Sequence, residues 1–266
     1  MNSLSFDPMV ELYDETRTFD QACFDAALDY LVDRFPPERF PSIVEPGIGT
    51  GRIAIPLAER GYQVTGSDIS AHMLAVLRRK LEQIGKPLPA TFHAADAVAL
   101  PYPDAAFDMA VAVHLFYFIS DWQRAAREVL RVVRNDGPLI LMQTGRGTEI
   151  PLLTERYKDL CAERGCRTGY VGVPGTNDVV AYFESLGCRS ERVHDRWRWV
   201  SRVRLDKGLE YMRLRAYSYT TYPPDAVHDE AIAAIEDELI REFGSLEVGV
   251  EVPNEVHFTI ISRDSR

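Results

Sequence analysis

Three carboxylates recur at the same kind of place along this 266-residue chain, each closing a short apolar run. Glu45 follows Ile43-Val44, Asp68 ends the run that starts near Tyr62, and Asp96 comes just after Ala90–Ala94. Runs of that length bounded by turn residues read as buried strands, so all three acids stand at strand ends. Glycines at 47, 49 and 51 follow the first of them. Without a Cβ, the backbone there can turn sharply and lie close against a ligand of nucleotide type. An acid at the position of Asp68 can accept both ribose hydroxyls of an adenosine lying over such a turn, because one carboxylate offers two charge-assisted bonds. His114 follows a fourth apolar run, Phe107–Val113. Its imidazole suits removal of a proton near neutral pH, and equally a hydrogen-bonded structural role.

The elements that must position these groups alternate. Strands are expected near 42–46, 62–67, 90–94, 107–113 and 138–143, with helices near 51–60, 70–84 and 121–134. Strand-helix alternation implies a parallel sheet covered on both faces, with ligands at the carboxyl ends of the strands. Ser70 supplies a cap for the helix after Asp68. A dinucleotide fingerprint would place its third glycine at 52, where the chain has Arg52. That spacing argues against an NAD-type oxidoreductase.

Glu45-x-Gly47-x-Gly49-x-Gly51 resembles the first motif of the class I S-adenosylmethionine-dependent methyltransferases. The resemblance implies a Rossmann-like α/β fold, a doubly wound, seven-stranded and mostly parallel sheet whose last strand is antiparallel. It implies S-adenosylmethionine as cofactor, with S-adenosylhomocysteine as product. Glu45 would then attract the ammonium of the donor, and the backbone at Gly47 and Gly49 would carry its tail. Asp68 would be the ribose-binding acid, and Asp-Ile69-Ser-x-x-Met73 matches the helix whose methionine flanks the adenine. Asp96 would accept from the adenine amino group while the Ala97 N–H donates to the ring. Tyr13-Asp14-x-x-Arg17 looks like the segment that covers the cofactor, with Arg17 on its carboxylate and Tyr13 as a hydrogen bond or wall. Backbone near Val113 and His114 would face the sulfonium, and Phe116 or Tyr117 would offer an aromatic face to its charge. His114 would be the candidate base. Asn135-Asp136-Gly137-Pro138 resembles the turn into the fifth strand of the family.

These motifs span roughly residues 41–145, the donor-binding core of what is read as one domain, 1–266. One or two helices are expected between Met9 and Phe35, so residues 1–40 form an N-terminal helical lid. Beyond Gly145, helices are expected near 149–165 and 177–186, a sixth strand over 193–200 and a last strand over 256–261. Residues 201–245 read as a helical cap inserted between these strands, with helices near 206–217 and 225–243. Nine Lys/Arg against four Asp/Glu in 189–215 make that stretch locally basic, with Trp197, Trp199, Tyr211 and Tyr217 nearby. An anionic aromatic or carboxylated acceptor suits it, with Trp199 and Tyr217 beside Phe116 and Tyr117 as substrate residues; a solvated face explains the same charges.

The net charge of -10 argues against a partner with a phosphate backbone, leaving a small-molecule methyl acceptor. Four cysteines without metal-ligand spacing, an acidic start and no long apolar run point to a cytoplasmic protein without metal or membrane. The expected activity is methyl transfer to a small molecule. A noncatalytic module binding the same cofactor is the alternative, and an NAD-type oxidoreductase a weaker one. Oxygen, nitrogen and carbon acceptors, and the oligomeric state, stay open.

Overall fold

The computed structural model describes residues 6–263, so residues 1–5 and 264–266 of the expected spans lie outside it. A 3-10 turn, Asp7–Leu12, and two helices, α1 (Tyr13–Thr16) and α2 (Gln21–Arg34), open the chain. The Asp20 side chain caps α2 by accepting from the Cys23 N–H at 2.9 Å. Then follow β1 (Ser42–Pro46), α3 (Ala54–Glu59), β2 (Gln63–Asp68), α4 (Ala71–Ile84), β3 (Ala90–Ala94), β4 (Met109–Val113), α5 (Trp122–Val132) and β5 (Leu139–Gln143). The second half comprises α6 (Pro151–Glu163), α7 (Thr176–Ser185), β6 (Cys188–Arg204), α8 (Leu205–Arg213), α9 (Asp225–Phe243) and β7 (Gly249–Arg263).

One seven-stranded sheet results, in the order β3-β2-β1-β4-β5-β7-β6. β1 to β5 pair in parallel and β7 is antiparallel to both β5 and β6, as the sequence leads one to expect. Strand residues alternate in direction, which sorts the core into two layers. Ile43, Met109, Val111, Ile140 and Met142 pack against α2, α3 and α4. Their neighbours Val44, Ala110, Ala112, Leu139 and Leu141 pack against α5 and α7. Burying both faces explains why these strands read as unbroken apolar runs. Strand order reverses between β1 and β4, and the crevice outside that reversal is where such sheets hold ligands.

β6 and β7 run well past the expected 193–200 and 256–261. They continue beyond the sheet as a two-stranded ribbon, kinked between Val193 and Trp197, where Asp195 has φ +64°. Charged residues on the outer face of the ribbon mask the alternation that would have disclosed its length. α6, α8 and α9 gather around the far half of this ribbon in a core of their own, with Val203, Leu205, Leu209, Ile232, Ile235 and Val252 among its members.

Gly137 makes the turn into β5 possible. A Cβ there would lie 2.1 Å from the Asp108 carbonyl oxygen and 2.7 Å from Val133 Cγ1. Backbone cannot yield as a flexible side chain does, so Gly137→Ala is expected to cost about 1–3 kcal/mol. Thermal unfolding should show it as a lower Tm; an unchanged Tm would contradict this account of the turn.

Candidate functional site

A cleft of about 670 Å³, counting its open mouth, lies outside the β1/β4 reversal. Gly47, Gly49, Asp68, Ile69, Met73, Asp96, Ala97, Val113 and His114 line it, and Tyr13 reaches it from the N-terminal segment. The structure therefore brings most of the nominated residues to one wall. Phe6, Ala95, Leu115, Phe118 and Ile119 also line the cleft and carry no motif. Only the aromatic run at 115–118 hinted at one of them.

The floor is the glycine turn. The N–H groups of Gly47 and Ile48 donate to the Ser67 carbonyl at 2.7 and 3.0 Å, lashing the turn to the end of β2. The Gly49 N–H donates to Asp68 Oδ2 and the Ser70 N–H to Oδ1, each at 2.9 Å. Asp68 is thus held by backbone on one side while its remaining lone pairs face the cleft. Burial raises its pKa, and those N–H donors oppose the rise. Ser70 itself caps α4, its Oγ accepting from the Met73 N–H at 3.0 Å. Asp68 and Ser70 therefore serve as strand-end acid and helix cap side by side.

Glu45 lies beneath the turn and not on the wall of the cleft. It is 2% exposed, and its Oε2 has no hydrogen-bond partner among the described residues. Burial, and then the Asp68 charge, push its pKa well up, with Arg52 pulling the other way. Arg52, read in the sequence only as a missing glycine, is a buried cation. It lies 4.0 Å from Asp14, 4.3 Å over the Phe19 ring, and donates to the Arg17 carbonyl. Asp14 also accepts from Thr50 Oγ1 at 2.6 Å and pairs with Lys80, so the N-terminal segment is tied to the glycine turn. Arg17 does not line the cleft; it lies 4.2 Å over the ring of Tyr13, which does, and donates to the Ala216 carbonyl at 3.2 Å.

His114 does not have the setting of a base. The Thr144 N–H donates to its Nε2 at 3.2 Å, and Thr144 Oγ1 lies 3.0 Å from the same nitrogen. Burial first, then the nearby Arg52 and Arg17 cations, push its pKa down to about 4, so the ring is neutral at pH 7. None of the four proposed substrate residues lines the main cleft, and only Phe116 and Tyr117 reach the smaller one beside it. Phe116 is buried, its ring edge-on to Phe183 of α7. Trp199 packs with the layer that covers α2. Tyr217 stacks on Tyr219 and meets Thr148 Oγ1 at 3.0 Å, joining the inserted helices to the loop after β5. Tyr117 lies beside His114 in a smaller cleft, its hydroxyl bonded to Thr176 and its ring stacked on Tyr170 at 4.9 Å.

Nor does the basic stretch face the cleft. Arg198, Arg204, Lys207, Arg213 and Arg215 are paired with acids on the surface, which favours the solvated reading of their charge. No residue of α8 or α9 lines the main cleft. Those helices act at one remove, holding the N-terminal segment through Arg17 to Ala216 and through Tyr211, which donates to Glu15 Oε1 at 2.7 Å.

The buried Glu45 has a measurable consequence. Its folded pKa is raised, so the folded chain holds a proton that the unfolded chain releases. Stability is full below the ordinary carboxyl value and falls as pH rises from there through the folded value. At neutral pH the penalty is present, and Glu45→Gln should raise the Tm of the ligand-free protein. Each ~1 kcal/mol relieved would read as about 2–4 °C for a chain of this size. The gain should shrink toward pH 4; an unchanged or lower Tm at pH 7 would contradict the account.

Residues 44–141 match the family model described as "Methyltransferase domain". The chain is 37% identical over 119 residues to a demethylmenaquinone methyltransferase of Thermus thermophilus, covering 44% of this chain and 51% of that protein. It is 26% identical over 208 residues to 27-O-demethylrifamycin SV methyltransferase of Amycolatopsis mediterranei, covering 76% and 75%. The chain spans about half the length of several curated relatives it matches. Among solved structures, the YcgJ protein of Bacillus subtilis shares the fold, with a TM-score of 0.60, 19% identity and coverage of 90% of this chain and 99% of that one. So does the [4+2]-cyclase SpnF, with a TM-score of 0.55, 20% identity and coverage of 95% and 86%. Motif, strand order and the matched core agree: residues 44–141 carry a methyltransferase domain of the S-adenosylmethionine-dependent type, within a Rossmann-like fold.

Proposed function

We propose that the protein transfers the sulfonium methyl group of S-adenosylmethionine to a small-molecule acceptor. The observation that carries this reading is a cleft lined by two strand-end acids, Asp68 and Asp96, over a glycine turn that covers a third, Glu45, buried with an oxygen left unbonded. That oxygen, on Glu45, suits an ammonium. Asp68 has lone pairs to spare for two ribose hydroxyls, and Asp96 stands across the cleft for an exocyclic amine, its Oδ1 already accepting from the Val98 N–H at 3.2 Å. The turn leaves room for a ligand against backbone: Gly47 has φ +73°, and a Cβ there would meet Leu115 Cδ1 at 2.8 Å. Ile69 and Met73 provide apolar walls for a flat base, and Ala97 a backbone donor. Arg17, stacked on Tyr13, is the cation that would take the donor's carboxylate.

The donor supplies a methyl carbon on a cationic sulfur, a centre that an acceptor lone pair attacks in line as the carbon–sulfur bond breaks. The protein's own part is placement and dryness. Holding two reactants in line is worth several kcal/mol of barrier, about 7–11 in well-oriented systems. Tyr13 and Phe6 lie over the mouth, and Asp14, fastened to Thr50 and Lys80, keeps them there. We assign residues 1–40 as this lid, 41–145 as the donor-binding core and 201–245 as the insertion that braces the lid. A small acceptor rather than nucleic acid is favoured by the net charge of -10 and by the pairing of the basic stretch. A cytoplasmic setting is in keeping with the donor; no helix of the described residues is long and apolar enough to cross a membrane.

Calorimetric titration with S-adenosylhomocysteine should show one site per chain. Asp68→Ala should weaken binding on the order of 100-fold, since hydrogen bonds to a charged group contribute about 1.5–3 kcal/mol each. No binding by the unmutated protein, or preference for NAD, would overturn the reading. Methyl transfer is then sought in a screen of small metabolites with labelled donor.

A further inference from the structure

The ring nitrogens of His114 have distinct fates. The residue sits in the left-handed region, φ +49°, where β4 ends and the chain turns into residues 115–118. That turn presents the imidazole to the end of β5, where the Thr144 N–H donates to Nε2. A nitrogen accepting from an amide carries no proton, so the neutral ring keeps its proton on Nδ1. No described residue bonds Nδ1, and His114 borders both the main cleft and the smaller one beside it. The charged or titratable groups facing the ring are Arg52 from the turn after β1, Arg17 from the N-terminal segment and His257 from β7, with the Tyr117 ring 6.1 Å away. The first two are cations. The adjoining wall is aromatic: Phe6 lies edge-on to Phe118 at 4.7 Å and to Tyr13 at 5.8 Å, and all three line the cleft.

We propose that His114 donates through Nδ1–H to an acceptor that binds already ionised at oxygen, and that the acceptor is a flat phenol methylated on that oxygen. This rests on the methyl-transfer reading above and narrows it. An amine acceptor reaches the site protonated at neutral pH and needs a group to take its proton; Nε2, the nitrogen that accepts, is already engaged. A phenol loses its proton to water on binding, where a donor hydrogen bond and a positive field favour the anion. In the transfer, the phenolate oxygen forms its bond to the methyl carbon as the carbon–sulfur bond breaks. The electron pair goes to sulfur, and no proton moves in that step.

4-Nitrophenol, coloured only as its anion, tests the proposal without turnover. The protein saturated with S-adenosylhomocysteine is titrated with the dye below the dye's ordinary pKa, and anion absorbance is read. The complex should bind the anion and deepen the colour. His114→Asn and His114→Asp are close in size, and both tolerate the left-handed backbone. Asn keeps a side-chain N–H near the place of Nδ1–H and should retain the colour, while Asp offers only acceptor oxygens and should lose anion binding about tenfold or more. Binding of S-adenosylhomocysteine, followed by calorimetry, should persist in both. The proposal is overturned if the loaded protein takes the dye only in its neutral form or not at all, or if both variants respond alike. Failure of the product to bind would instead overturn the methyl-transfer reading.

Discussion

The structure turns on a buried carboxylate whose charge lacks a full set of partners. Glu45 stands at the end of β1, under a turn made of alternate glycines, with one oxygen unbonded and the Asp68 charge close by. A lone buried charge is costly unless it is compensated. Here the compensation inside the chain is partial, coming from Arg52, which is itself shared with Asp14 and the Arg17 carbonyl. Everything around the crevice fits that arrangement. The sheet reverses its order beside β1, the β2 end grips the turn, and the N-terminal segment brings Arg17 near it. A cationic ligand with a carboxylate tail would complete the set.

Much of this was legible in the sequence because strand ends and turns are local. Apolar runs of strand length marked β1, β4 and β5 almost to the residue, since strands buried on both faces admit few polar interruptions. Glycine spacing and the acids at 45, 68 and 96 fixed the class of ligand before any coordinates. What escaped was set by tertiary contacts. Phe6 lines the cleft only because its segment folds back over it. Arg52 looked like the absence of a glycine, and only packing shows it as the cation near Glu45. Phe116 and Trp199 look like any aromatic beside a site; which face of an element they occupy, and hence whether they reach the ligand, depends on the turns before them.

The same limit explains the acceptor side. A basic, aromatic-rich stretch suggested a surface for an anion, yet Arg198, Arg204, Lys207, Arg213 and Arg215 are spent on neighbouring acids along the ribbon and the inserted helices. Those helices bear on the cleft indirectly, through Tyr211 and the Ala216 carbonyl, which steady the very segment that carries Tyr13 and Arg17. The N-terminal segment and the inserted helices are thus joined across residues far apart in sequence. Such coupling leaves no periodic trace in the chain.

The central claim is that the crevice over the glycine turn is shaped for an adenosyl sulfonium and its demethylated product. Its most direct test is a crystal structure of the protein with S-adenosylhomocysteine. The account predicts density in the cleft with the ribose hydroxyls on Asp68, the adenine amino group at Asp96, and the amino-acid end running over Gly47 and Gly49 toward Glu45 and Arg17. Density elsewhere on the protein, or a cleft that stays empty at saturating ligand, would contradict it.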